Sequence, residues 1–125
     1  LLAVVLMAVV AVALTSLGFL IAWRMDSTAG FHAIMSVFLF PMWLLSGAFF
    51  PGGGTGWLGW VVRLNPLTYG VAGLRHYLQF TTGGEAVVAA TSSLPLCWGV
   101  SVAFAAITSL LAWKIASTRT TADLL

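Results

Sequence analysis

Long apolar stretches separated by short polar ones dominate the chain. The first stretch, Leu1 to Trp23, contains no formally charged residue. A bilayer core about 30 Å thick needs about 20 apolar residues in helical conformation, and the stretches Phe31 to Phe50 and Leu94 to Trp113 also reach that length. The pattern therefore predicts three membrane-spanning helices, over residues 1–23, 31–50 and 94–113.

The second predicted span carries Pro41 at mid-depth. Proline lacks an amide proton and should kink or break the helix. Lipid tolerates such a break only where neighbouring protein or a cavity satisfies the freed carbonyl. We therefore expect this span to pack inside a helix bundle at the level of Pro41.

The third predicted span has small residues every four positions, at Ser101, Ala105 and Ser109. Such a stripe allows another helix to approach closely. Ordinary small residues that face lipid would give the same pattern. Both interpretations remain open from the sequence.

The segment 57–80 is long enough to span a membrane, but polar residues interrupt it. A single central arginine, such as Arg63 or Arg75, costs about 2.5 to 3.5 kcal/mol on insertion. Asn65 followed by Pro66 is a helix-start signal, with a capping amide and a proline where no amide is needed. We predict two short helices, broken at Asn65, that form a re-entrant or interfacial hairpin.

The second helix of this hairpin has an amphipathic pattern. Its apolar side consists of Leu67, Val71, Leu74 and Leu78, and its polar side of Thr68, Arg75, His76 and Gln79. Aromatic residues of the types that settle at the headgroup level recur along the hairpin, at Trp57, Trp60, Tyr69 and Tyr77. The pattern is typical of a helix near the membrane surface.

Composition agrees with a membrane protein. The chain is 61% hydrophobic and 6% charged, with a mean hydropathy of +1.07, so charge could not cover its surface as in a soluble domain. Cys97 is the single cysteine, and His32 and His76 are the only histidines. One chain therefore cannot build an internal disulfide or a multi-ligand zinc or iron-sulfur site. We expect no cofactor in this chain and no nucleic-acid partner.

Few charged residues decide the topology. If the hairpin does not cross the membrane, Arg24 and the tail with Lys114 and Arg119 lie on one side, which the positive-inside rule makes cytoplasmic. A crossing hairpin would place them on opposite sides, which the rule favours less. The glycine-rich segment 52–56 lacks the lysine of a phosphate-binding loop and is expected to link the second span to an external hairpin.

The sequence begins with the first predicted apolar helix. It has no initiator Met, no basic leader and no small-residue cleavage site after the apolar run, which argues against a signal peptide. We expect it to be a fragment of a longer protein.

Two motifs carry a family resemblance. Pro41, Ser46, Gly47 and Pro51 stand in "PMWLLSGAFFP", and "LNPLTYGVAGLR" follows from Leu64 to Arg75. This arrangement resembles the permease subunits of ABC-2 type transporters, including the daunorubicin-resistance and nodulation-export permeases. In that family the first motif lies near the end of the fifth span, and the second lies in an external hairpin before the sixth.

The resemblance implies an all-α membrane protein whose three spans and external hairpin form the C-terminal half of a six-span permease. Such a subunit pairs with a second copy or a sister permease in the bilayer. It docks separate ATP-binding subunits, which hold ATP and magnesium, so the chain itself would not be an enzyme. It would export a hydrophobic drug, lipid or glycan from a prokaryotic cytoplasm by alternating access across the inner membrane. The ATPase contact is expected in the N-terminal half.

The hairpin residues are the candidate external gate. Asn65 and Pro66 are expected to form the bend, and Tyr69 either to seal the gate or to anchor the hairpin in the headgroup layer. An arginine that dips towards lipid must find a carboxylate, a carbonyl or a phosphate. Arg75 therefore either closes the gate and guides substrate or extends to water, as Arg63 is expected to do.

Two other function classes compete with export. One is a non-transporting assembly or anchoring protein whose hairpin docks a partner. The other is an intramembrane hydrolase with Ser46 as nucleophile. His32 would lie about 21 Å from Ser46 along a continuous helix, too far to act as its base. His76 on the hairpin could approach, but no oxyanion-binding array is visible in the sequence.

Overall fold

The computed structural model describes residues 1–48, 57–78 and 93–119. All regular elements in these ranges are helices, as predicted. The α-helices are α1 (Leu2–Ala22), α2 (Thr28–Ile34), α3 (Phe40–Trp43), α4 (Trp57–Leu64), α5 (Pro66–Leu78) and α6 (Leu94–Arg119), and two π-helical segments, π1 (Met35–Leu39) and π2 (Leu44–Ala48), flank α3.

Within the described ranges, three helical stretches are long and apolar enough to cross a membrane: Leu2–Ala22, Thr28–Ser46 and Leu94–Thr118. The second begins three residues before the predicted Phe31, because Ser27 caps it by accepting a 3.0 Å hydrogen bond from the Gly30 amide. The third continues beyond the predicted end at Trp113 by a further turn and more. Lysine does not stop a helix, since its long side chain can extend to water.

The second stretch departs from α-helical geometry around Pro41. In a regular α-helix the proline ring would meet the carbonyl of Val37. Val37 lies in π1, where the turn is wider, and a second wide turn, π2, follows α3. The helix is thus disturbed on both sides of the proline, as its sequence predicts, without ending there.

The helices α1 and α6 run parallel. The hydroxyl oxygens of Ser16 and Ser109 lie 3.0 Å apart. Nearer the start of both helices, Leu6 and Cys97 meet at Gly73, where an added Cβ would lie 2.7 Å from Leu6 Cδ2 and 3.2 Å from Cys97 Cβ. Residue numbers rise in the same direction along both helices, so their C-terminal ends lie at the same end of the molecule.

The short helix α5 lies antiparallel between them. Gly73 is level with Leu6, while Gly70 is level with Val10 and Ser101, so the numbering on α5 rises as that on α1 falls. The helix also contacts π2. Five of its 13 residues are buried: Leu67, Thr68, Gly70, Ala72 and Gly73.

The buried surface of α5 differs from its predicted apolar side. Leu78 is 68% exposed, whereas Thr68, on the predicted polar side, is 3% exposed. The helix is surrounded by α1, α6 and π2, and small residues let it fit there. The division into one apolar and one polar side is therefore wrong as a guide to burial.

The small-residue stripe of α6 is a packing surface. Ser101 is buried at the contact with Gly70, and Ser109 bonds to Ser16. Ala105 is half-buried and lines a groove against α1. Of the two interpretations open from the sequence, the structure supports close helix approach.

Candidate functional site at the hairpin tip

The tip of the hairpin is the single non-helical residue between α4 and α5, Asn65. Its Oδ1 accepts a 3.0 Å hydrogen bond from the Leu67 amide, and its backbone carbonyl accepts one from the Thr68 amide at 3.1 Å. Pro66 occupies the first helical position, which needs no amide partner. The predicted break at Asn65 is thus present, and it is a regular helix cap.

The side chain of Asn65 also joins the hairpin to the second span. Its Nδ2 donates a 2.6 Å hydrogen bond to the backbone carbonyl of Met42, which lies beside Pro41 and just before π2. Asn65 is 7% exposed, so this bond satisfies a buried amide that would otherwise carry a large desolvation cost. The bond brings the two sequence motifs into direct contact.

Two further side chains join α5 to α4 within the hairpin. Thr68 Oγ1 donates to the carbonyl of Val62 at 2.8 Å, and the Tyr69 hydroxyl donates to that of Arg63 at 3.0 Å. The last carbonyls of α4 have no partners within their own helix, and these two bonds provide partners for two of them. Thr68 and Tyr69 therefore fix the angle between α4 and α5.

The span-end motif packs against this tip. Ser46 is 1% exposed, and its hydroxyl donates to the carbonyl of Trp43 at the end of α3, so its proton is committed to the backbone of its own span. Gly47 also lies in π2. Pro51 and the glycine-rich segment 52–56 lie outside the described residues.

A groove of about 370 Å³ runs between the second span and the hairpin. It is lined by Val37, Phe38, Pro41, Met42 and Leu45 on one side and by Val61, Leu64, Asn65 and Pro66 on the other. Asn65 is the one polar side chain in this lining. The groove can hold an apolar group, and the Asn65 side chain in its lining is already bonded to Leu67 and Met42.

The predicted charged gate residue lies away from the tip. Arg75 is half-buried on α5, about 15 Å along the helix axis from Asn65. Arg63 is exposed at the end of α4. His32 packs edge-on against Phe31 at the other end of the second span.

The described part of the chain holds no group of three or more His, Cys, Asp or Glu placed to bind a metal ion.

Sequence reasoning did not single out Gly70 and Gly73. An added Cβ at Gly70 would lie 2.7 Å from Val10 Cγ2 and 3.7 Å from Ser101 Oγ, so both glycines mark close approach of α5 to its neighbours. A signal was available, since glycine costs about 1 kcal/mol in a helix interior, and two glycines three residues apart need a packing reason.

A bond at the far end of α5 was also missed. Trp98 Nε1 donates to the Tyr77 hydroxyl at 2.9 Å and ties the end of α5 to the start of α6. Tyr77 thus has a hydrogen-bond partner within the chain, in addition to its predicted position at the headgroup level.

Comparison with known proteins identifies the family of the chain. A family model described as ABC-2 type transporter matches residues 1–78, a range that contains α1, the second span and the whole described hairpin. Comparisons with curated proteins and with solved structures gave no match. The match covers more than half of the chain and both elements of the site. The chain therefore belongs to the ABC-2 type transporter family, and it is a multi-pass membrane protein.

Proposed function

We propose that this chain is the permease subunit of an ATP-driven exporter that moves a hydrophobic drug, lipid or glycan out of the cytoplasm. Separate ATP-binding subunits hydrolyse ATP, and a second copy or a sister permease completes the path. Family membership supports the permease role. The observation that carries the mechanism is the hydrogen bond from the hairpin tip at Asn65 to the broken span at Met42.

The position of the tip supports a re-entrant hairpin. Asn65 lies about 7 Å further along the α5 axis than Gly70, in the direction of the α1 C-terminus. Since Gly70 is level with Val10, the tip lies deep alongside α1, which ends at Ala22. Polar groups at that depth require internal partners, and Asn65 has them.

The parallel α1 and α6 support an orientation. Arg24 follows the end of α1, and Lys114 lies near the end of α6, so both cations lie at the same end of the molecule. The positive-inside rule makes that end cytoplasmic, in the inner membrane of a prokaryote. The hairpin then opens to the outside, and the C-terminus lies in the cytoplasm.

Alternating access requires an element with two arrangements. The hairpin is suited to this because a single side-chain bond joins its tip to a span that already departs from α-helical geometry, a departure common at functional sites. Release of Asn65 from Met42 would free the hairpin tip from the second span, while Thr68 and Tyr69 keep α4 and α5 together. ATP-driven closure of the partner subunits would bias the two arrangements.

The function is tested on the full-length protein. Purification from its native membrane in mild detergent should recover a stoichiometric ATPase with a Walker motif, and inverted vesicles should accumulate a hydrophobic dye only with ATP. Recovery without any such ATPase, under conditions that keep a control transporter intact, would contradict the exporter. That result would favour the membrane anchoring protein.

The gate role of Arg75 has its own test. Arg75→Ala should lower the export rate about tenfold, the effect of about 1.4 kcal/mol on the limiting barrier, because the cation no longer meets the substrate at the external mouth. Arg63→Ala, at an exposed position on the same hairpin, is the matched control and should export normally. Normal export by Arg75→Ala, with subunit assembly unchanged, would remove Arg75 from the mechanism.

A further inference from the structure

A second groove lies at the opposite end of the molecule from the open end of the hairpin. We call it the junction groove. It has a volume of about 400 Å³ and lies where α1, α2 and α6 meet, with aliphatic lining from Leu20, Ile21, Met25, Ile34, Leu111 and Ile115. One further residue lines it, Arg24, so a single cation stands at the edge of an apolar slot.

Arg24 is exposed, and its guanidinium makes no hydrogen bond or ion pair with another residue of the described ranges. The nearest acid along the chain, Asp26, lines a different groove, together with His32. An arginine just beyond the end of a membrane span lies at the level of the lipid headgroups, where a phosphate can pair with it. The junction groove thus combines an apolar lining with one positive charge, and none of the described residues that line it is acidic.

A second cation strengthens the field at this end. Lys114 is exposed on α6, between the groove residues Leu111 and Ile115 in sequence. Residues three apart on a helix are neighbours, so Lys114 lies beside the Leu111 side of the slot. Basic pockets between membrane helices are suited to acidic lipid headgroups.

We propose that the junction groove binds an acidic glycerophospholipid, with an acyl chain along the aliphatic lining and its phosphate on Arg24. The lining contains no aromatic ring and, apart from Arg24, no hydrogen-bonding side chain, which suits a flexible hydrocarbon chain. The volume is within the range of about 300 to 1,000 Å³ typical of small-molecule sites. The bound lipid would join the three spans at the end where Arg24 and Lys114 lie.

Binding is tested with the full-length protein in nanodiscs that contain phosphatidylglycerol and phosphatidylcholine. Native mass spectrometry after partial delipidation should show phosphatidylglycerol retained in preference to phosphatidylcholine. Arg24→Gln should lower this preference about fivefold, the effect expected of one cation at an anionic lipid surface. Arg63→Gln, which removes an exposed arginine that does not line the groove, is the matched control and should keep it.

Two further measurements keep the proposal testable if the variant folds poorly. In the wild-type protein, a phosphatidylglycerol with a photoreactive acyl chain should cross-link to peptides that contain Ile34 or Leu111, and inorganic phosphate should not compete. Ile34→Trp should reduce cross-linking because the ring fills the slot.

Several outcomes would overturn the proposal. Equal retention of the two lipids by the wild type would do so, as would an unchanged preference in Arg24→Gln or competition by free phosphate. None of these readouts requires transport, so failure here leaves the exporter proposal unaffected.

Discussion

The helices α1 and α6 differ from the short helix α5 in how their hydropathy relates to their burial within the chain. The pair is long and almost uniformly apolar, yet only 11% and 17% of their most hydrophobic windows are buried within the chain. The helix α5 carries Arg75 and His76 and is too short to span, but five of its 13 residues are buried. Hydropathy marks the helices that are long and apolar enough to span a membrane, whereas small residues mark the surfaces where helices approach each other closely.

Lipid explains this difference. Acyl chains are as apolar as leucine, so large aliphatic side chains gain little by leaving lipid for a neighbouring helix. Dispersion contacts between closely approaching backbones and hydrogen bonds then decide where helices associate. The helix α5 offers Gly70 and Gly73 for close approach, and its cap residue Asn65 offers the hydrogen bond.

The strongest test of this comparison adds one methyl group to α5. Gly70→Ala and Gly73→Ala should each lower the free energy of unfolding by about 1 to 3 kcal/mol. The new Cβ meets Val10 at Gly70 and both Leu6 and Cys97 at Gly73. The measurement is reversible unfolding in mixed micelles.

The chain supplies matched controls for these variants. Gly18 in α1 and Gly99 in α6 have no heavy atom within 4 Å of an added Cβ. Their alanine variants should be stabilised by up to about 1 kcal/mol through helix propensity. If all four variants behaved alike, close approach of α5 would not be what holds it between α1 and α6.

A smaller effect is expected from Asn65→Asp, which separates the two bonds of this side chain. A carboxylate can still cap α5 through the Leu67 amide, but it cannot donate to the Met42 carbonyl. We expect a loss of about 1 to 2 kcal/mol from the unmade buried bond and faster proteolysis within the hairpin. Asn65→Ser keeps a capping oxygen, is too short to reach the Met42 carbonyl and adds no charge, so it should lose the same bond and separate that loss from the effect of a buried carboxylate.

Should Asn65→Asp be as stable and as protected from protease as the wild type, the bond to Met42 would not hold the hairpin tip. The hairpin would then depend on the glycine contacts of α5 and on the bond between Trp98 and Tyr77, and the proposed release step would lose its basis.

The hairpin itself could be predicted from local signals. The break at Asn65 and the helix start at Pro66 follow from capping chemistry, which acts over two or three residues. The positions of the three apolar helices follow from composition and length in the same way. The disturbance at Pro41 was also predictable, because the proline ring acts on its own helix.

The contacts between elements could not be predicted from those signals. The bond from Asn65 to Met42 joins residues 23 positions apart. Neither sequence motif contains a signal that predicts contact with the other. The amphipathic pattern of α5 gave the wrong surface because it assumes one packed side, whereas α5 is surrounded by three neighbours. Ser27 was not recognised as the cap of α2, so the helix begins three residues before the predicted span.

The smallest expected effect separates two serines of the same stripe on α6. Ser101 is 3% exposed, and its hydroxyl has no hydrogen-bond partner within the part of the chain that the structure describes, so Ser101→Ala should leave stability unchanged or raise it by up to about 1 kcal/mol. Ser109→Ala breaks the bond to Ser16 and should cost about 0.6 kcal/mol, the average for such bonds in membranes. Unfolding of both variants in the same micelles measures the difference.

If the two changes in the free energy of unfolding have opposite signs, close packing holds α6 against α5 at Ser101, and a hydrogen bond holds α6 against α1 at Ser109. A loss at Ser101 comparable to that at Ser109 would show that the buried hydroxyl has a partner after all, and that polar bonds act along the entire stripe.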